Sequence, residues 1–322
     1  MKDILCLGLI VVDLLVDTVP NVDLLKYDTI PISSIRVCGG GDAFNQAVAL
    51  QKLGKSVAFW GRVGSDAFGR EAKRLLEEHH VDSRYLTVDD HVETSVSAIL
   101  IGEDANRVIL HKTGENNAFS LKELDLSALD NAAILCIGSL RGLAGLDGKP
   151  LAELLQYAKG KGVITVADAT ARLHERCDED VRAVLPWVDY FLPSEGEARE
   201  LTGKTDIREI AETLLAWGAS TVVIKRGAKG CYVANGSEHF SVPTLAVRAV
   251  DTTGAGDNFV GGFASKLSEG ADLRHCVASA VTTGALSTTC IGAGTAPYTY
   301  EDVERGIREI IDLLSKGENN AV

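Results

Sequence analysis

The sequence has no apolar run of about 18 residues free of charge, so no helix is expected to cross a membrane. It has no block of basic residues. Lys and Arg number 32 against 45 Asp and Glu, for a formal net charge of −13. Nucleic-acid binders present a basic face, so a partner held by phosphate-backbone neutralisation is not expected. The seven cysteines (Cys6, Cys38, Cys136, Cys177, Cys231, Cys276, Cys290) include no C-x-x-C pair, and the seven histidines lack metal-ligand spacing. Reduced thiols in a cytoplasmic protein are expected, not disulfides or zinc. The first residues, MKDILCLGLIVVDLL, place Asp3 beside Lys2 and lead to no small-residue cleavage site. They read as a first strand and not as a signal peptide. No repeat, low-complexity tract or long linker is visible.

What is present is an ordinary globular balance: 46% apolar and 24% charged residues, with 32 glycines and 7 prolines in 322. Disorder throughout and collagen-like structure are excluded. Residues 1–322 are read as a single domain with an ample core. Apolar runs of strand length recur at 3–9, 57–63, 133–138, 162–167, 187–192 and 221–225. Helical-period stretches at 43–53, 66–79, 149–160 and 206–217 lie between most of them. This alternation predicts an α/β fold, a parallel sheet with helices on both faces. After residue 250 the pattern turns helical, at 257–269, 272–289 and 299–315.

Residues 10–37 and 94–113 break the rhythm with extended patterns. They are expected to form a small separate sheet, a lid over the ligand-binding edge of the main sheet. Its second part has a polar turn at Glu103–Asn106, and alternation aims Val96, Ala98, Leu110 and Lys112 at the substrate. A further hairpin is predicted over CYVANGSEHFSV, with Asn235-Gly236 as its type I′ turn.

The strongest local signal is Asp251-Thr252-Thr253-Gly254-Ala255-Gly256-Asp257, which opens a helix. Glycines before a helix let consecutive backbone N–H groups face one ligand, and the helix dipole adds positive potential. This is an anion site suited to a phosphoryl group in transfer. Asp257 at the same spot is either a base beside the phosphoryl acceptor or a helix cap. A second cluster, Gly39-Gly40-Gly41-Asp42-Ala43-Phe44-Asn45, also leads into a helix. Phe44 stands where a dinucleotide fingerprint needs glycine. Asp42 and Asn45, with Asp13 at the end of the first strand, would suit a polyhydroxylated ligand. Ala49–Ser56 and Ala198–Thr205 end in G-K-[ST] but lack the first glycine of a phosphate loop. Gly54 and Gly203 read there as helix C-caps. Ser194-Glu195-Gly196-Glu197 is also a capping box. Lys225 to Gly230 puts lysine and glycine at the end of a strand, as nucleotide contact or as a tight turn.

Taken together and in order, several stretches resemble the ribokinase-like (PfkB-type) carbohydrate kinase family over essentially the whole chain. They are Asp13, Gly39 to Asn45, Gly61-Arg62-Val63-Gly64-Ser65-Asp66 with Gly69, Gly114-Glu115-Asn116-Asn117, Ser194 to Glu197, Lys225 to Gly230, and Asp251 to Asp257. The resemblance implies a Rossmann-like three-layer α/β/α domain with a small β-sheet lid. It implies transfer of the ATP γ-phosphoryl group to a hydroxyl of a small sugar or sugar acid. In that reading Asp257 is the general base, and Gly254, Ala255 and Gly256 form the anion hole. Asp13, Gly40, Gly41, Asp42 and Asn45 hold the sugar, and Ser194, Lys225, Gly227 and Gly230 meet the nucleotide. Glu197 helps place Mg2+ through water, and Asp251, Thr253 and the Gly292–Thr295 loop are where members hold a monovalent cation such as K+. Lids of the family pair between subunits, so a homodimer is implied.

The chain departs from the family in four places. Ser194 replaces the Asn of Asn-x-x-Glu, and the Asp-x-Asn-x-Arg stretch appears as Asp168-Ala169-Thr170-Ala171-Arg172. Asp42 stands where ribokinases proper carry Lys, and the Gly292–Thr295 loop is one residue short. Three other functions are compatible with parts of this pattern: a nucleoside kinase of the same fold, a non-catalytic sugar or nucleotide sensor, and an NAD dehydrogenase. No strand-anchored G-x-G-x-x-G opens the chain to support the last.

Overall fold

The computed structural model describes residues 3–102, 107–114, 117–170 and 177–319. The expected turn at Glu103–Asn106, the pair Glu115 and Asn116, and Ala171 and Arg172 lie outside these residues.

The chain runs through β1 (Asp3–Leu7), β2 (Val11–Val19), β3 (Ser34–Gly40), α1 (Asp42–Lys52), β4 (Val57–Gly64), α2 (Ala67–Glu78) and β5 (Asp82–Asp89). β6 (Val96–Gly102), β7 (Arg107–Lys112), β8 (Ala132–Leu140), α3 (Lys149–Gly160), β9 (Ile164–Ala169) and α4 (Cys177–Val184) follow. Then come β10 (Tyr190–Phe191), α5 (Glu195–Thr202), α6 (Ile207–Ala216), β11 (Thr221–Lys225), β12 (Cys231–Asn235) and β13 (His239–Val242). The last elements are α7 (Ala255–Ser268), α8 (Leu273–Ser287) and α9 (Tyr300–Asn319).

The main sheet has nine strands in the order β13-β12-β11-β10-β9-β8-β1-β4-β5. From β11 to β5 every pairing is parallel, and β12 and β13 add an antiparallel edge. β1 lies between β4 and β8 and is apolar and buried from Ile4 to Leu7 because helices cover both its faces. Ile4 and Cys6 pack into one core with α1, α2, α7, α8 and α9. Leu5 and Leu7 pack into the other with α3, α4, α5 and α6. The result is three layers, α/β/α.

Helix starts follow local chemistry. Asp66 accepts from Gly69 N at 2.6 Å, and Asp206 and Asp272 cap α6 and α8 in the same way. Gly54 and Gly203 take φ of 71° and 67° just past α1 and α5, which disposes of both apparent phosphate loops. The hairpin at 231–242 forms, but its turn is not type I′, because neither Asn235 nor Gly236 has positive φ. Instead the Asn235 side chain accepts from Ser237 N and Glu238 N at 2.9 and 3.0 Å and folds the turn from outside.

The second sheet, β3-β2-β6-β7, takes its strands from the two segments that broke the rhythm. β2 pairs antiparallel with β3 and parallel with β6, and β6 pairs antiparallel with β7. Asp13 therefore sits within β2 and does not end the first strand, which stops at Leu7.

Candidate active site

The residues singled out by sequence gather past the C-terminal ends of the parallel strands, where an open α/β sheet leaves a crevice. β9 ends at Asp168-Ala169 and β11 at Lys225, and Ser194 is bridged to Lys225 between them. Lys225 Nζ donates to both Asp168 carboxylate oxygens, at 2.7 and 2.6 Å. A methyl group added at Gly256 would lie 3.1 Å from Lys225 Nζ, so the ammonium stands against the start of α7. Gly254 precedes that helix with φ of 72°, and a Cβ there would meet the Ala293 side chain at 2.7 Å. Only glycine fits both constraints. Asn258 donates to Gly254 O at 2.8 Å and accepts from Tyr298 at 2.6 Å, which fixes the helix start.

Asp257 is buried in the first turn of α7. Its Oδ2 accepts from Asn45 Nδ2 at 2.8 Å. Asn45, expected to meet a substrate hydroxyl, thus orients the Asp257 carboxylate. Burial holds Asp257 well above the usual carboxylate range, and the charges of Asp42 and Asp168 push the same way against Asn45 and Lys225. Burial raises Asp168 to about 7 despite Lys225. It raises Asp42 too, against the Ser139 and Thr170 hydroxyls and Lys225. Burial alone would lower Lys225, but Asp168, Glu197 and Asp257 more than offset it and raise it. Several carboxylates thus surround one ammonium, an excess of negative charge that favours a cation among them.

Asp42 lies in this carboxylate group and not beside Asp13. It is joined by Ser139, whose φ of 68° is uncommon for a non-glycine residue. Ser194 caps α5: its hydroxyl accepts from Glu197 N, and Glu197 Oε2 accepts from Ser194 N at 2.7 Å. One Glu197 oxygen is thereby committed to the backbone. Among the described residues no three acidic, His or Cys side chains form a metal cage. The carboxylates fit Mg2+ that keeps much of its water shell and sits on phosphates, as Mg2+ commonly does.

A Cβ at Gly40 would lie 2.1 Å from Asp13 Oδ2, so a larger residue there would displace the Asp13 carboxylate. Gly41 follows at φ of 91° as the N-cap of α1. Burial lifts Asp13 to about 6, opposed by a hydrogen bond with Ser97. The register pairs Asp13 with Ser97 and Ser97 with His111, and Ser97 Oγ lies 3.1 Å from His111 Nδ1. Ser97 and His111 share the face of Asp13. Val96, Ala98, Leu110 and Lys112 are on the opposite face, so expecting those four and Asp13 at one ligand is wrong by one residue of register.

Asp251 Oδ1 accepts from Thr253 N and Oγ1 at 2.9 and 2.6 Å, and Oδ2 accepts from Gly292 N at 2.9 Å. Arg107, at the start of β7, adds an ion pair to Asp251 Oδ1 at 3.0 Å and a hydrogen bond to Thr253. Neither Arg107 nor the Asp168–Lys225 pair is evident in sequence reasoning. Asp168 carries one signal, its place in the altered Asp-x-Asn-x-Arg stretch, and Arg107 carries none.

Asp42, Asp168, Ser194, Glu197, Lys225, Gly227, Gly230 and Gly254 to Asp257 line one cavity of about 770 Å³ with an apolar far wall at Leu245, Val247 and Val281. That size and lining suit a nucleotide. A larger cavity of about 900 Å³ lies across α1, between Lys52, His79 and Tyr298, and holds none of these carboxylates. The profile of the pfkB family carbohydrate kinases matches residues 1–299. The chain belongs to the pfkB family.

Among its relatives, the fructokinase of Vibrio alginolyticus is 30% identical over 295 residues, covering 87% of this chain and 95% of the relative. The deoxyribokinase of Salmonella typhi is 28% identical over 309 residues, 94% and 97% of the two chains. The ribokinase of Arabidopsis thaliana, solved with ribose and ATP, superposes with a TM-score of 0.78 at 23% identity over 95% and 99% of the chains. A double variant of fructokinase from Vibrio cholerae, solved with fructose, ADP and a potassium ion, gives 0.77 at 27% identity over 95% and 98%. The fold is ribokinase-like. The protein is a pfkB carbohydrate kinase, a phosphotransferase that moves the ATP γ-phosphoryl group to a hydroxyl of a sugar.

Proposed function

We propose that Asp257 is the general base of this pfkB kinase and that a hydroxyl of a small sugar or sugar acid docks between it and Asp13. The observation that carries this reading is a buried carboxylate held by Asn45 at the N-terminus of α7, beside the glycine backbone of 254–256. The acceptor hydroxyl gives its proton to Asp257 as its oxygen attacks the γ-phosphorus and ADP leaves. Backbone N–H groups of Gly254, Ala255 and Gly256 receive the charge that develops on the phosphoryl oxygens. Lys225, tethered by Asp168, meets the phosphates, and Ser194, Gly227 and Gly230 frame the nucleotide. Gly40 and Gly41 bring backbone close to the sugar beside Asp13, Ser97 and His111. Asn45 and Asp42 act on the Asp257 side of the acceptor, the first by orienting the base.

Mg2+, when bound, neutralises charge on the β- and γ-phosphates, and Glu197 with Asp42 and Asp168 would hold its water shell. Residues 1–322 work as one catalytic unit under the β2-β3-β6-β7 lid. Cys6, Cys38, Cys136, Cys231, Cys276 and Cys290 are free thiols, and the setting of the enzyme is taken to be reducing and cytoplasmic. Among the described residues no helix is long and apolar enough to cross a membrane.

A panel of D-fructose, D-ribose, deoxyribose, keto-sugar acids and nucleosides, read by coupled ADP release and product identification, tests the acceptor. Turnover is expected with a sugar or sugar acid. Preference for nucleosides refutes that part of the reading. Asp257→Asn should lower kcat by about 10³-fold without lowering the melting temperature. Retained turnover refutes the general-base role.

A further inference from the structure

A hard cation needs a cage of oxygens with free lone pairs. The segments flanking the anion hole, where potassium was expected, offer few. Asp251 Oδ1 already accepts from Thr253 and Arg107, and Oδ2 from Gly292 N. The facing loop is equally engaged. Lys52 Nζ, at the end of α1, donates to Ala296 O at 2.8 Å and to Gly294 O. Thr295 Oγ1 donates to Ile291 O and Gly292 O at 2.9 Å each. Two side-chain cations thus lie on oxygens of these two segments, Arg107 on Asp251 and Thr253 and Lys52 on Gly294 and Ala296. One reaches in from the lid and the other from the main domain.

We propose that Arg107 and Lys52 supply in place of a monovalent cation the positive charge that orders the 251–254 and 292–296 segments, so that this kinase binds its nucleotide without potassium. The physical basis is charge equivalence. A carboxylate three residues before Gly254 would repel an incoming phosphate, and a guanidinium on its Oδ1 cancels that charge. Carbonyls crowded at 291–296 need donors, and an ammonium supplies them. Because Arg107 is carried on β7, its charge is in place only when the lid lies over the site. A free ion would not couple the two. Arg107 is 42% exposed, so its pair contributes little to global stability and its effect belongs to ligand binding. Arg107 is here a positioning residue, acting on the phosphates through the 251–254 turn.

The inference rests on the reading that the phosphates lie at Gly254–Gly256, so the test has one arm without nucleotide. The melting temperature of the wild-type protein is measured in KCl and in tetramethylammonium chloride at equal ionic strength. Equal values are expected, and specific stabilisation by KCl overturns the proposal even if no nucleotide binds. In the second arm, the affinity for Mg2+ with AMP-PNP is measured by calorimetry in both salts. Wild-type affinities should agree within about twofold, since 0.4 kcal/mol of coupling is the corresponding limit. Arg107→Ala should bind about tenfold more weakly in tetramethylammonium chloride and recover in KCl, whereas Arg107→Lys should stay near wild type in both. Tenfold tighter wild-type binding in KCl overturns the proposal. So does an Arg107→Ala variant that equals wild type, or one equally weakened in both salts.

Discussion

At Asp13 burial and the proposed role in holding the sugar pull in opposite directions. Its folded pKa is raised from 3.8 to about 6, so the folded state holds a proton that the unfolded chain releases earlier. Stability is therefore unaffected below about pH 4, falls as pH rises from about 4 to 6, and stays lowered above that. The full shift corresponds to about 3 kcal/mol, and part of that is offset by solvent at this partly exposed residue. Asp13→Asn should stabilise the protein by about 1–2 kcal/mol at pH 7.5, with a smaller gain at pH 5, in urea unfolding. It should raise KM for the sugar while leaving the KM for ATP near wild type. A variant destabilised at pH 7.5 would show that the charged carboxylate is satisfied by partners in the fold. Asp13 was singled out in the sequence as a polar residue after an apolar strand. Its burial and its Ser97 partner were not visible there, because both come from β6, more than 80 residues away.

The element that matters most is the start of α7. Its geometry depends on Gly254 at positive φ, on Ala293 packed against it and on Asn258 closing onto its carbonyl. Gly254→Ala should cost about 1–2 kcal/mol from backbone strain. Displacing the N–H groups should reduce kcat by roughly 10²-fold. Urea unfolding and steady-state kinetics measure the two effects, and a fully active Gly254→Ala enzyme would remove the 254–256 backbone from the mechanism. The glycine–aspartate spacing of this helix start was readable in sequence because a phosphate-facing backbone permits few residue types. The lid register was not. Alternation gives two faces but does not say which one a tertiary contact will cover, hence the one-residue error at Val96 and Ala98.

At the scale of the whole molecule the lid ends in exposed apolar strands. Every residue of β7 is exposed, with Val108, Ile109 and Leu110 each more than half so, and Ile35 and Val37 are exposed on the opposite edge strand β3. Edge strands with unpaired backbone and apolar side chains invite pairing with another copy. Sedimentation velocity is expected to show a homodimer at micromolar concentration, and Leu110→Lys is expected to convert it to monomer with the melting temperature nearly unchanged. A monomeric wild-type protein would rule the lid interface out. The net charge of −13 fits the same picture. An acidic molecule can still hold ATP, because in the proposed reading the positive potential is local: the α7 N-terminus and Lys225 share one crevice, and Mg2+ would add to it when bound.

Sequence alone determined the α/β alternation, the two lid segments, the helix caps and the glycine-rich start of α7. Each depends on neighbours within a few residues, through periodicity, capping or backbone freedom. Only the tertiary structure decided which charged groups meet. The Asn45–Asp257 bond spans 212 positions, the Arg107–Asp251 pair 144 and the Lys225–Asp168 bond 57. Such pairings are set by strand order and by how far a lid strand reaches. A residue type at one position carries no trace of a partner so distant in the chain. The family activity was therefore legible in local motifs. The Asn45 contact on Asp257, the placement of Asp42 among carboxylates and the side-chain cations on the segments flanking the anion hole came from long-range packing.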